Sequence, residues 1–402
     1  VDTALVGHLG AAQLAGVGVG ATVLQTAVGL LIFLAYGTTP AVARRLGAGD
    51  RPGAIRAGID GIWLAIVAGA VLLLAVPLAR PLVGLFGAAA DVTGHAATYL
   101  GISILGLPAM LVVLAATGLL RGLQDTRTPL VVAGAGFTAN AALNALLIYG
   151  LDLGVAGSAI GTVIAQWGMA AFFLWFAVRE ARRERVSLRP SLAAVGRVAG
   201  VGVWLLLRTL SLRVALIATT AVATRLGTEV LAATQVAFAL FSTLAFALDA
   251  LAIAGQAMVG KALGAGDAAL VRRITRRLVR WGILGGAALG AVLLALAWLV
   301  GGAFTSDPAV LALLPWALVP LALAQPVAGF VFVLDGVLIG AGDVRYLAWT
   351  GLANLALYLP LLLVALLPAL PEGSMPLGVV WLAFAFGYLG ARALTLGLRA
   401  RT

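Results

Sequence analysis

The chain has 402 residues, of which 62% are hydrophobic and 10% charged, with a net charge of +11 and no cysteine. A water-soluble domain carries about a quarter charged residues, so there is too little polar surface here to cover a globule in water. The missing cysteines exclude disulfides and thiolate chemistry. Apolar runs of about 20 residues, enough to cross a hydrocarbon layer of about 30 Å, recur along the whole length. The fold class is an all-α polytopic membrane protein.

Taken in chain order, Gly, Pro and charge divide the apolar runs into spans at about 14–42, 55–79, 96–120, 129–149 and 158–178. A polar linker follows, "REARRERVSLRPSLAAVGRV", and then spans at about 198–224, 230–259, 279–303, 310–339, 346–370 and 377–398. Residues 1–7 read as the tail of one further helix, so the first helix is expected to be largely truncated. The natural count is twelve, in two sets of six. Residues 1–190 form the N-terminal lobe, with the remnant of helix 1, helices 2–6 and the start of the linker. Residues 191–402 form the C-terminal lobe of helices 7–12. Pro108, Pro315, Pro320, Pro326 and Pro360 fall within spans, where they permit bending.

The arginines set the orientation, because cytoplasmic connections hold an excess of Lys and Arg. Alternate connections carry 22 of the 26 basic residues, counting Arg392 with a cytoplasmic tail. Arg80 and Arg225 lie opposite, and Arg208 and Arg213 fall inside a span. The charge is therefore a topology signal, and no nucleic-acid partner is expected. The lipid bilayer is the partner, and the chain a multi-pass protein of the cell (inner or plasma) membrane. Arginine outnumbers lysine 25 to 1, the mark of GC-rich coding and hence of a bacterium.

Two stretches repeat in register. "RRLGAGD" ends at Asp50 and "KALGAGD" at Asp267, an offset of 217. "HLGAAQLAG" at 8–16 aligns with "RLGTEVLAA" at 225–233 at the same offset, and "GLLRGLQDTR" at 118–127 with "GVLIGAGDVR" at 336–345 at 218. Both halves run in the same direction, a parallel repeat about an axis along the membrane normal. Each LGAGD reads as a helix stop and restart, glycine closing one helix and aspartate capping the next.

Ionisable groups at membrane depth are costly and mark function. Asp2, Asp249 and Asp335 are the deep acids, whereas Asp60 and Glu229 lie near span ends and are expected to be solvated. Asp2 lies roughly 8–12 Å below the outer turn at residues 7–10. Asn144 and Asn140 lie roughly 9 and 15 Å before the outer turn at Gly150, on one helix face, and Thr162 is at a similar depth after it. In the second lobe Arg208 and Asp249 sit at similar depth on sequential helices, which suits either an ion pair or a transport role. Arg213 and Asp335 complete the polar candidates there. No group of His, Cys or carboxylates has metal-ligand spacing, and no metal or cofactor is expected.

Together "VDTALVGHLGAAQLAGVGVG", the paired LGAGD turns, "GLLRGLQDTRTP", "NAALNALLIYGLDLGVAGSAIGT" and "DGVLIGAGD" resemble the multidrug and toxic compound extrusion (MATE) transporters. "ALDALAIAGQAMVGKALGAGD" is similar to the DinF-like branch in particular. The resemblance implies two pseudo-symmetric six-helix lobes around a central cavity and secondary antiport, in which protons or sodium ions flowing inward drive export of small amphipathic or cationic organic compounds. It assigns Asp2 to the ion site, with Asn140, Asn144 and Thr162 beside it, and Asp335 to the tenth-helix acid. Some members carry an acid at the position of Asn144, and the seventh-helix Glu of the sodium-coupled branch has no counterpart in "LLLRTLSLRVA". The coupling ion expected is therefore the proton, with sodium second, and the protein is expected to be a drug-exporting monomer and no enzyme. The nearest alternative is a lipid-linked oligosaccharide flippase of the same superfamily, which Arg208 and Arg213 keep open. An intramembrane enzyme lacks the convergent groups it needs. At the 217 offset Thr219 stands where the first lobe has Asp2.

Overall fold

A computed structural model describes residues 5–367 and 374–401, and among them every regular element is helical. The chain divides into two compact units, Val1–Gly202 and Val203–Thr402. The first unit holds α1 (Ala11–Gly47), α2 (Arg51–Leu73), α3 (Ala90–Ile104), α4 (Leu107–Gly122), α5 (Arg127–Gly150) and α6 (Gly154–Arg183). The boundary falls early in α7 (Val195–Arg225), beyond the linker. The second unit continues with α8 (Thr228–Gly264), α9 (Ala268–Leu296), α10 (Pro308–Leu323), α11 (Gln325–Ala341), α12 (Val344–Leu366) and α13 (Ser374–Arg399). Among the described residues nine helices are long and apolar enough to cross a membrane alone, and up to eleven spans result if α3–α4 and α10–α11 each count as one. Residues 1–4 of the proposed helix-1 remnant at 1–7, Asp2 among them, lie outside the described residues.

The repeat is visible in backbone geometry. Helices α1 and α8 begin behind Gly10 at φ 141° and Gly227 at φ 120°. The two LGAGD turns place Gly49 and Gly266 at φ 77° and 71°, a left-handed conformation open to glycine without a Cβ clash. Each following Asp then caps the next helix: Asp50 accepts from the Gly53 N–H at 2.8 Å and Asp267 from the Leu270 N–H at 2.7 Å. The turn after α4 uses Gln124 at φ 68° where the turn after α11 uses Gly342 at φ 77°. LGAGD is thus a stop-and-restart device in both units.

The bends repeat too. The axis turns by 48° between α3 and α4 and by 49° between α10 and α11. Pro108 and Pro326, 218 residues apart, each lie in the first turn after the bend. A proline has no N–H to give the preceding turn and disfavours helical geometry in the residue before it. Side chains take up carbonyls at each break: Trp167 Nε1 donates to the Leu105 oxygen at 3.1 Å, and Gln325 Nε2 to the Leu321 oxygen at 3.2 Å.

Packing within each unit depends on small residues, since lipid chains are as apolar as leucine and give no hydrophobic drive between helices. Gly282, Gly286 and Gly290 form one stripe of α9 against α11 and the end of α10; a Cβ on Gly282 would lie 2.6 Å from the Gly329 carbonyl oxygen. On α4, Gly118 and Gly122 let the helix settle on the backbone of α1 at Ala35 and Thr39. Where side chains are large they interlock. Trp381 and Phe384 of α13 pack with Phe238, Phe241 and Tyr358 at ring-centroid separations of 5.2–6.3 Å.

One expectation needs correction at the basic end of the first unit. Asp60 is not solvated; it is 4% exposed and pairs with Arg56 at 3.3 Å. Glu180 on α6 is buried as well, and with Glu184 it binds Arg51 at 2.9 and 2.8 Å. Span-end position gives a residue's height but not whether a neighbouring helix covers it. The linker docks on this cluster: Arg56 donates to the carbonyls of Ser187 and Arg189, and Trp63 Nε1 to that of Leu188. At the turn before α5, burial pushes the Asp125 carboxyl up. Its hydrogen bonds from the Thr128 hydroxyl and the N–H groups of Thr128 and Arg127 outweigh that and hold it below the ordinary aspartate range.

Alanine at Gly285, which has open space around it, should be neutral or stabilising, as helix propensity favours Ala by about 1 kcal/mol. Alanine at Gly286 meets the Gln325 carbonyl and Pro326 and should destabilise by about 1–3 kcal/mol. Thermal unfolding of the detergent-purified protein distinguishes the two. A depressed folded-state pKa means that Asp125 stabilises above the unfolded aspartate value, with the gain lost as pH falls through the folded value. Acid unfolding of Asp125→Asn should therefore start from lower stability at neutral pH and show a shallower dependence on pH below about 4.

Candidate functional site

In the first unit, α5 and α6 run side by side and bring their polar residues together. Asn140 Nδ2 donates to Thr162 Oγ1 at 2.8 Å. One turn further along α5, Asn144 is completely buried, and Gly161 of α6 lies against its amide oxygen with no room for a Cβ. A wide turn, residues Leu146–Gly150, follows Asn144 and closes α5. The Tyr149 hydroxyl donates to the Leu5 carbonyl. The three polar residues expected at one level are therefore in one place, while Asp2, the acid expected beside them, lies outside the described residues.

In the second unit the deep charges converge on Asp335 of α11. Its Oδ1 accepts from Arg208 Nε at 3.0 Å and from Arg392 Nη2 at 3.1 Å, and its Oδ2 faces Arg208 Nη2. Helices α7, α11, α12 and α13 thereby frame a cleft whose polar lining is Arg208, Asp335, Thr350, Asn354, Tyr388 and Arg392. Depth matching pointed Arg208 toward Asp249, which is half-buried on α8; the pair that closes the cleft is with Asp335. Arg213 is exposed and does not line the cleft. Arg392 does not belong to a tail: it is 9% exposed inside α13. Its position within the span 377–398 was the available signal.

Arg392, Asn354, Thr350 and Tyr388 are the cleft residues that sequence reasoning missed. Asn354 Nδ2 donates to Thr395 Oγ1 at 3.2 Å, and its Oδ1 is buried without a hydrogen-bond partner. Elsewhere in the unit the Thr219 hydroxyl and the Tyr358 hydroxyl are 2.6 Å apart, both fully buried. No cluster of three His, Cys or carboxylate side chains fit to hold a metal occurs among the described residues.

The family model MatE matches residues 1–146 and 205–364. The chain is 30% identical to DNA damage-inducible protein F of Escherichia coli over 352 residues, covering 85% of this chain and 76% of that protein. It is 34% identical to Protein DETOXIFICATION 43 of Arabidopsis thaliana over 255 residues, 63% of this chain. It spans about half the length of that relative, 48%. Among solved structures, a MOP superfamily transporter from Pyrococcus furiosus superposes with a TM-score of 0.88 over 100% of this chain and 90% of that one, at 22% identity, a likeness of fold.

A double-mutant cycle of Asn140→Leu and Thr162→Val should return a coupling of about 1 kcal/mol, the range of interhelical hydrogen bonds in membranes. It is read from thermal unfolding of the purified protein, and additive single effects would show that the bond carries no energy.

Proposed function

The chain belongs to the MatE family, and on that premise we propose that it is a secondary antiporter of the inner membrane. It exports small amphipathic or cationic organic compounds in exchange for protons, with sodium the second coupling ion, by alternating access. The coupling site is Asp2 with Asn140, Asn144 and Thr162. Asp335, Arg208 and the remaining deep groups of the second unit, Asp249 and Arg213, serve substrate contact or helix pairing.

One observation carries the assignment. The same offsets that relate the helices relate Thr219 to Asp2 (217) and Tyr358 to Asn140 (218). In the second unit these two positions hold a buried hydroxyl pair in direct contact. The first unit has an acid and an amide at the equivalent positions, and Asn140 already contacts Thr162. Duplication supports a contact at this level, and only the first copy writes a carboxylate into it.

A proton drives such a machine only through its differential affinity for two states. Moving an equilibrium from 1:99 to 99:1 takes about 5.5 kcal/mol of that difference, within reach of a carboxylate that is solvated in one state and buried among amides in the other. Protonation changes the packing around Asn140 and Asn144 and releases substrate outward; deprotonation resets the site.

Asp2→Asn should abolish drug resistance in cells while leaving membrane expression unchanged, and efflux at the wild-type rate would overturn the assignment. In proteoliposomes an imposed proton gradient should drive uptake of a cationic dye and a sodium gradient alone should not.

A further inference from the structure

The first half of α9 carries charge that the second unit leaves unanswered. Arg272, Arg273, Arg276, Arg277 and Arg280 stand within nine residues, and all five are exposed. Among the described residues none of them forms an ion pair. Asp267, the acid nearest in sequence, caps the helix, and Asp343 in the turn after α11 binds Arg399. The five share an arc of about 140° of the helix surface. Arg272 and Arg276, Arg273 and Arg277, and Arg276 and Arg280 are each four apart, a spacing at which like charges destabilise a helix. Orientation in a membrane asks for arginines in number; it does not ask for them to be stacked on one helix face.

The first unit shows the same surface covered by protein. At the 217 offset these positions are Ile55, Arg56, Ile59, Asp60 and Trp63 of α2. Ile55 and Ile59 are buried with Ala181 against Trp63 and Val186, Arg56 pairs with Asp60, and the linker docks over them. In the second unit the apolar positions and the acid have all become arginine, and the face is open. Its continuation indicates what adjoins it. Trp281 is 58% exposed, and Ile283, Leu284, Ala287 and Ala291 carry the same arc onward as exposed apolar surface. An occupant that meets both stretches is an anion with an apolar tail. We propose that this face of α9 binds the phosphate headgroups of anionic phospholipids. The guanidinium forks take phosphate oxygens, Trp281 sits at headgroup level, and acyl chains lie along the apolar arc. Arg276, Arg277 and Arg280 are within five residues of Trp281, roughly 8 Å of helix. That is inside the reach of about 8–10 Å of a charged lipid surface.

The test uses the full chain in dodecyl maltoside micelles, with equilibrium binding of acyl-labelled phosphatidylglycerol and phosphatidylcholine read by fluorescence anisotropy. Phosphatidylglycerol should bind at least tenfold tighter, and added salt should erode the difference. Replacing Arg276, Arg277 and Arg280 together by Gln should weaken phosphatidylglycerol at least tenfold and leave phosphatidylcholine unchanged. The same charge removed from the exposed linker arginines, Arg182, Arg185 and Arg189, should change neither. Should the triple variant fail to fold, Arg276→Gln and Arg280→Gln alone should each cost about fivefold. Arginines that only set orientation would give equal binding of the two lipids, which overturns the proposal. So would equal losses in the α9 and linker variants. Soluble glycerol 3-phosphate should not displace the lipid; displacement would mark a free-phosphate site and overturn the lipid reading. Tighter competition by polyglutamate would assign the face to an acidic protein partner, with the same consequence. Binding needs no gradient and no export, so its outcome is separate from that of the transport assays.

Discussion

Hydrocarbon offers a polar group nothing to bond with, so each N–H, carbonyl and charge within the bilayer must find its partner in the protein. Much of this architecture follows from that constraint. It makes the spans helical, and wherever a span is interrupted it demands a repair. The two bends show the repair most plainly: prolines 108 and 326 open the helix, and Trp167 and Gln325 take up the carbonyls at Leu105 and Leu321. It also governs the charges. Asp60, Glu180 and Asp335 are buried, and each lies against arginine. Removing one member of such a pair is costly because the other is left uncompensated.

Duplication gives the scaffold, and departures from it give the chemistry. Helix starts, turn glycines and bends recur at offsets of 217 or 218. The polar groups do not. Asn140 and Asn144 correspond to Tyr358 and Leu362, and Asp335 to Thr117. Each unit therefore holds a polar site the other lacks: neutral amides and a hydroxyl in the first, and an arginine-rich cleft in the second.

Much of this was legible before any coordinates. Period and length gave eleven spans, and the quoted repeats gave the turn positions to within a residue. Depth counting along helices put Asn140, Asn144 and Thr162 at one level, where the structure brings the first and last into a hydrogen bond. The same counting went astray when it was asked about neighbours. It missed the pairing of Arg208 with Asp335, left Asp60 to solvent, and counted Arg392 as a tail residue although it lies seven residues inside a helix.

The sequence by itself determined the class of the protein, its succession of apolar spans and its internal repeat. These depend on properties that run along the chain: apolar length and fixed offsets. Only the tertiary structure decided which helices adjoin and which faces they present. A helix has a height that residue counting supplies, but its neighbours are selected by glycine stripes and aromatic interlocking between segments far apart in sequence. That lateral choice brought Arg208, 127 residues before Asp335, and Arg392, 57 residues after it, into one cleft.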